Sequence, residues 1–186
     1  MKLILFSVLT ALIFLTACAG TPSEIQREPS SITSKIIFSK KTNSASNKML
    51  ETYLKYKLIK DSGFGGMDAQ DCKGYAQQNP IHCKTKDCTA MLKEQEFQCE
   101  TPTCKAILAE REELCPDEIC RALISNLPEK CGTNNVCISL VNQESSQCND
   151  NKDCKAFVEK TGTLCATNKC KGIVNENLNF CDSNQN

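Results

Sequence analysis

Cysteine is the residue type with the most chemistry to offer in this chain, and its spacing is regular. Fourteen of the fifteen cysteines alternate at gaps of 11 and of 5 or 6 residues. A thiol can form a disulfide, hold a soft metal ion or act as a nucleophile. No Cys-x2-Cys occurs, so the usual zinc-knuckle and thioredoxin-type spacings are missing. The alternation favours disulfides, and the candidate residues are Cys72, Cys83, Cys88, Cys99, Cys104, Cys115, Cys120, Cys131, Cys137, Cys148, Cys154, Cys165, Cys170 and Cys181.

The other polar residues offer little recognisable chemistry. The one histidine, His82, is interpreted as a loop residue beside a structural disulfide. Segment 149–153 lacks the Gly and the distal Glu of a calcium loop, and it is interpreted as a helix-capping turn. Glu110, Glu112 and Glu113 are interpreted as a solvated helix face. We therefore expect no catalytic residue, no metal site and no cofactor, and hence no enzyme.

The fifteenth cysteine, Cys18, belongs to a different pattern. The chain starts with one positive charge and is apolar from Leu3 to Leu15, apart from two hydroxyl residues. This run is shorter than the roughly 20 residues that a membrane-spanning helix needs, and its layout is that of a secretory signal. The residues Leu15-Thr16-Ala17-Cys18 resemble the lipobox of bacterial lipoproteins.

That resemblance covers residues 1–18 and carries several implications. Residues 1–17 would be removed as a signal peptide, and the Cys18 thiol would receive a diacylglycerol with palmitate-type chains. Ala19 follows, where an Asp tends to retain Gram-negative lipoproteins at the inner membrane. The resemblance therefore implies a lipid anchor in the bacterial outer membrane, facing the periplasm or the cell surface.

The remaining cysteines define seven Cys-x10-Cys units, in which we count positions from the first cysteine as position 0. Each unit has a small residue at +2 and apolar residues at +3 and +4. Since 11 residues make nearly three helical turns, positions 0, +3, +4 and +11 share one stripe. Each unit is predicted to be a short amphipathic helix with a cysteine at each end of this stripe. The small residue would let neighbouring helices approach closely.

Local signals predict where these helices begin and end. Pro80, Pro128 and Gly162 occupy position +8 and should stop their helices near +7. Four residues directly before first cysteines are predicted to be N-caps, namely Asp71, Asp87, Thr103 and Asp153.

The pairing of the cysteines stays open. In a continuous helix the two cysteines of one unit are roughly 16 Å apart, too far for a disulfide. Bonds could cross each linker, as from Cys83 to Cys88, or join the far ends of a hairpin, as from Cys72 to Cys99. The unit loosely resembles the twin Cx9C helical hairpin of mitochondrial proteins, which uses both bonds. We prefer linker-crossing bonds.

In an up-and-down stack, seven cysteines lie at each end. Pairing them within an end therefore leaves one cysteine without a partner at each end. Three resolutions exist: Cys72 and Cys181 stay free or bond another chain, the stack closes on itself, or shortened helices allow bonds within units. We expect the terminal cysteines to be special, with an interchain disulfide through Cys72 or Cys181 as one outcome.

The expected fold is all-α, a disulfide-stapled array of seven short helical repeats preceded by a flexible tether and one amphipathic helix. The domains are a signal peptide over 1–17, a lipidated tether over 18–46, a helix and Gly hinge over 47–66, and the cysteine-rich repeat over 67–186. The net charge is +5 over residues 19–60 and −6 over 61–186, so the basic part lies beside the membrane and the acidic body argues against nucleic-acid binding.

Two functions are compatible with this pattern. The first is a non-catalytic cell-envelope lipoprotein whose repeat scaffold binds a protein partner or supports the envelope, since helical arrays present extended surfaces. The alternative is a thiol-rich protein that binds a metal such as Cu(I), or a redox lipoprotein, with its cysteines reduced.

Overall fold

The computed structural model describes residues 44–61 and 63–182, which form helices and turns without a strand. The repeat array predicted from the sequence is confirmed: one helix precedes seven repeating units, each an α-helix followed by a short 3₁₀ turn. The α-helices are α1 Ser44–Lys60, α2 Ala69–Gln77, α3 Lys86–Lys93, α4 Pro102–Leu108, α5 Glu118–Ser125, α6 Asn135–Asn142, α7 Lys152–Glu159 and α8 Asn168–Val174. The 3₁₀ turns of the units are Pro80–His82, Glu96–Gln98, Glu112–Leu114, Pro128–Cys131, Ser145–Cys148, Gly162–Leu164 and Leu178–Phe180.

Every unit helix ends before it reaches the second cysteine. The residue at +6 is left-handed in all seven units: Gln78, Glu94, Glu110, Asn126, Gln143, Lys160 and Glu176. The N–H at +7 then donates to the carbonyl at +2 over 2.8–3.1 Å, which is the long hydrogen bond of a Schellman C-cap. The prediction of one helical stripe from 0 to +11 is therefore wrong, and the stop expected in three units occurs in all of them.

The N-caps lie at −3 in six of the units, two residues earlier than predicted. The side chains of Thr85, Thr101, Asp117, Asn134, Asn151 and Thr167 each accept a hydrogen bond from the N–H of position 0. In the first unit the cap is Asp68, which accepts from the Gln70 N–H. Asp71, Asp87, Thr103 and Asp153 are not caps, because at −1 they already lie inside the first helical turn, where they are buried.

Six disulfides cross the linkers, as the preferred scheme expects, and no hairpin bond occurs among the described cysteines. They are Cys83–Cys88, Cys99–Cys104, Cys115–Cys120, Cys131–Cys137, Cys148–Cys154 and Cys165–Cys170. The seventh joins Cys72 to Cys181 across 109 residues, with a Cα–Cα distance of 5.6 Å that matches the others. Helix α2 packs against α8 as its neighbour. Of the three resolutions considered for the terminal cysteines, the structure has the second, in which the array closes into a ring.

Helix α1 lies in the middle of this ring. It packs against α3, α4, α5 and α6, and Tyr53 meets Tyr75 of α2 with ring centroids 6.3 Å apart. No residue from Met49 to Ile59 is exposed. The buried side chains of α1 are Leu50, Tyr53, Leu54 and Leu58, whereas a polar stripe at helical spacing lies beside an open space: Lys48, Glu51, Thr52 and Lys55.

The predicted Gly hinge is a packed reversal between α1 and α2. Gly63 has a φ of 93°, a conformation that favours glycine, and Phe64–Gly66 form a 3₁₀ turn. Phe64 is fully buried, and its ring centroid is 5.7 Å from that of Phe157 in α7. The reversal therefore covers one end of the central helix with an aromatic side chain.

The closing disulfide should contribute more stability than a linker-crossing one. The chain-entropy estimate is about 4 to 5 kcal/mol for a loop of this length and about 2 kcal/mol for a five-residue separation. We expect the double variant Cys72→Ser/Cys181→Ser to lose roughly twice the free energy of unfolding that Cys99→Ser/Cys104→Ser loses. Urea denaturation without reductant measures both, and equal losses would show that ring closure adds nothing beyond a local staple.

Candidate functional site

The joint between successive units is the most strongly repeated feature of the described residues. The disulfide leaving each unit lies against its own small residue at +2, which is buried in every unit. A Cβ built on Gly74 would come 2.8 Å from the Cys83 sulfur, and one on Gly172 would come 2.7 Å from the Cys181 sulfur. In another unit the Ser139 hydroxyl lies 2.9 Å from the Cys148 sulfur. The small residue thus makes room for the disulfide, rather than only for a neighbouring helix.

Three buried carboxylates hold the linkers in place. Asp87 Oδ1 accepts hydrogen bonds from the N–H groups of Glu100 (2.7 Å) and Thr101 (3.1 Å), and its Oδ2 accepts from the Thr101 hydroxyl. Asp71 and Asp153 repeat this pattern in the first and last linkers, with Thr85 and Thr167 as hydroxyl donors. Each carboxylate joins the start of one helix to the N-cap of the next, through charge-assisted hydrogen bonds.

Among the described residues, these carboxylates also belong to groups whose spacing resembles a metal-binding site. Asp71, Asp87 and Asp153 each have a ligand atom within 4.8 Å of two cysteine sulfurs. In the oxidised protein those sulfurs are bonded to each other, and the carboxylate oxygens already accept hydrogen bonds from the linker. Such a group would need a reduced disulfide before it could offer two thiolate ligands.

Lys169 replaces the carboxylate where the ring closes. It occupies −1 of the last unit, and its Nζ donates to the Gly65 carbonyl at 2.9 Å and to the Met67 carbonyl. Nearby, hydrogen bonds from Lys84 and from the Gln70 N–H lower the pKa of Asp68, the first N-cap. Lys169 therefore ties the last unit to the segment that precedes the first unit.

A polar cluster orients the C-terminal end of α1. The Tyr56 hydroxyl donates to Asp117 Oδ2 at 2.9 Å, Lys60 Nζ lies 2.9 Å from the same oxygen, and the Cys120 N–H donates to Oδ1 at 2.9 Å. Burial opposes ionisation of Asp117, but these three donors outweigh it and lower its pKa. The hydrogen bond from Lys60 to Asp117 in turn raises the pKa of Lys60.

Two tyrosines lie deeper beside the central helix. Burial, with Asp87 and Asp71 nearby, raises the pKa of Tyr53 far above its ordinary value. Burial and the neighbouring Tyr53 do the same to Tyr75. The Tyr53 hydroxyl is 3.5 Å from Asp87 Oδ2, at the limit of a hydrogen bond. Both phenols stay protonated at ordinary pH, so they can donate hydrogen bonds but cannot act as bases.

The residues singled out from the sequence are dispersed through the ring. His82 is half-buried in a 3₁₀ turn, next to the Cys83–Cys88 bond. The three glutamates form separate ion pairs: Glu110 with Lys48, Glu112 with Lys130, and Glu113 with Arg111. The segment 149–153 is a capping turn, as interpreted, because Asn151 caps α7. Cys18 lies outside the described residues.

The comparisons with known proteins add no relative. No protein-family model matches the chain, and neither a curated protein nor a solved structure matches it. The joints, the central helix and the closed ring are therefore interpreted from their own geometry.

The Asp117 cluster predicts a specific dependence of stability on pH. A lowered carboxylate pKa stabilises the fold fully above its unfolded value of about 4 and loses that contribution as pH falls through the folded value. Asp117→Asn keeps a good N-cap but removes the charge, so we expect a loss of about 0.5 kcal/mol near pH 7 after allowing for partial exposure. The loss should shrink at acid pH, as the pH falls through the lowered folded pKa and the native Asp117 becomes protonated.

Asp117→Ala is the matched comparison, because it removes the cap as well as the charge. It should cost about 1 kcal/mol more than Asp117→Asn, and this extra cost should persist in acid. Urea denaturation near pH 7 and at acid pH measures both variants. An Asn variant that is equally destabilised at both would show that the Lys60 ion pair contributes nothing.

Proposed function

We propose that the chain is a non-catalytic cell-envelope lipoprotein, whose disulfide-closed ring serves as a scaffold for a protein partner or for the envelope. The observation that carries this proposal is the pairing of all fourteen cysteines from Cys72 to Cys181 in seven intrachain disulfides. Disulfides persist in secreted and periplasmic proteins and are rare in the cytosol. A ring built on seven of them suits a protein that is exported before it folds.

The Cys18 anchor accounts for how such a ring would stay at a membrane. None of the helices in the described part of the chain has the length and apolar character needed to cross a bilayer. Two or three acyl chains on Cys18 would hold the protein firmly, since each buried CH₂ adds about 0.8 kcal/mol. The basic residues between 19 and 60 would add attraction to an anionic surface, and Ala19 favours the outer membrane.

Helix α1 occupies the centre of the ring, so a protein partner would have to contact the outer side or the rims of the ring. Two large apolar side chains there are strongly exposed, Ile81 at 80% and Phe97 at 82%. They occupy the same position, +9, in adjacent units. This repetition supports partner binding, because large apolar groups placed in water favour contact with another surface.

The alternative is a thiol-rich metal-binding or redox lipoprotein. It is supported by the three groups of one Asp and two Cys, which would become open to a soft ion after reduction. It would need most of the cysteines to be free thiols in the working protein. The scaffold proposal needs them to be bonded, so the number of free thiols separates the two functions.

We expect the extracted protein to have almost no free thiols. Thiol alkylation before and after reduction, followed by intact-mass measurement, should add fourteen labels only after reduction, with acyl chains blocking Cys18. A mass that contains many labels before reduction, or a retained metal ion under native conditions, would favour the metal-binding alternative and contradict the scaffold.

Lipidation predicts a change of compartment when the anchor is removed. Cys18→Ala should give a soluble or unprocessed protein without an acyl mass, because no thiol remains to be acylated. Ala17→Gly, which keeps the lipobox pattern, is the matched control and should remain in the outer membrane. Membrane fractionation with mass measurement checks both. A Cys18→Ala protein that still fractionates with the outer membrane and carries acyl chains would show that the anchor is elsewhere.

A further inference from the structure

A cavity of about 280 Å³ opens beside the N-terminal half of α1. It exists because α1 packs against α3–α6 and leaves a space on the side of α2, α7 and α8. Its inner wall is apolar. Leu50 and Leu54 of α1 face three residues that share position +3 in their units, namely Tyr75, Phe157 and Ile173.

Phe157, which lines the cavity, also packs against a second aromatic side chain. Phe64, from the reversal after α1, is fully buried and meets Phe157 with ring centroids 5.7 Å apart. The apolar wall of the cavity therefore includes an aromatic ring that already packs tilted against another ring, with an interplanar angle of 51°.

The mouth of the cavity is polar and carries both signs of charge. Gln78, Lys160 and Glu176 line it from position +6 of their units, where the left-handed cap conformation occurs. Glu51 of α1 also lines the mouth, but it pairs with Lys55 at 3.0 Å. Lys160 and Glu176 are exposed, and within the described part of the chain neither forms an ion pair.

We propose that this cavity binds a free α-amino acid with an aromatic or branched apolar side chain. The side chain enters the apolar space, the carboxylate meets Lys160, and the ammonium group meets Glu176. The volume lies near the lower end of the range for small-molecule pockets, about 300 to 1,000 Å³, which suits a ligand of this size better than a cofactor. The proposal goes beyond the scaffold function and does not depend on the lipid anchor.

Three probes with the same phenyl ring separate the contributions of the two charges. L-phenylalanine carries both charged groups, phenethylamine only the ammonium, and 3-phenylpropanoate only the carboxylate. Titration calorimetry on the purified oxidised protein should rank L-phenylalanine first. Each singly charged probe should bind at least about threefold more weakly than L-phenylalanine, because it lacks one solvent-exposed ion pair.

Two substitutions test the residues, and a third serves as the control. Lys160→Gln and Glu176→Gln should fold normally, because Gln already occupies +6 at Gln78 and Gln143. Lys160→Gln should abolish the preference for L-phenylalanine over phenethylamine, and Glu176→Gln should abolish the preference over 3-phenylpropanoate. Glu94→Gln changes the same position in a unit that does not line the cavity, and it should change neither preference.

Several results would overturn the proposal. If none of the three probes binds, the cavity takes no ligand of this class. Equal binding of all three probes would show that an apolar ring enters without recognition of its charged groups. Equal effects of Lys160→Gln, Glu176→Gln and Glu94→Gln would place the site elsewhere on the ring.

Discussion

The disulfide from the second cysteine of one unit to the first cysteine of the next is the constraint on which the rest of the structure depends. The unit helices have seven to nine residues, and helices of that length are not stable alone in water. The bond requires the chain to turn back after each helix, which the left-handed residue at +6 achieves. It also occupies the space above +2, so a larger side chain such as Leu at Ala106 would displace a sulfur. One covalent link therefore determines helix length, turn conformation and residue size in every unit.

Closure of the ring solves a problem that an open array leaves at its two ends. Open repeat proteins need terminal units with a polar outer face. Here α2 and α8 cover each other, and their cysteines make the same bond as every other pair of neighbours. The inward side chains then need an apolar partner in the centre, and α1 supplies it through buried residues such as Leu54 and Leu58. Ion pairs join its ends to the units, with Lys48 paired to Glu110 and Lys60 paired to Asp117.

The cysteine period was enough to predict the number of units and their helical nature, because both are local, and it favoured the linker-crossing bonds without deciding between them and hairpin bonds. Helix ends were mispredicted, since the residue types at +6 (Gln, Glu, Asn and Lys) carry no Gly signal for a left-handed cap. The buried carboxylates could have been found from the sequence. Wherever Asp occupies −1, Thr follows 14 residues later as the next N-cap, as in Asp71 with Thr85. Ring closure could not be deduced, because equal cysteine numbers at the two ends of a stack also allow free or interchain thiols.

Closure also makes the central helix part of a threaded topology. The Cys72–Cys181 bond converts residues 72–181 into a covalent loop, and α1 lies inside that loop while remaining joined to it through residues 61–71. The six other bonds span 5 or 6 residues, so each can form locally, whereas the closing bond needs the whole array to curve first. Helix α1 supplies the surface around which the array curves, because it packs against four of the seven unit helices. The segment that precedes the repeats in the sequence thus fills the space that the closed array encloses.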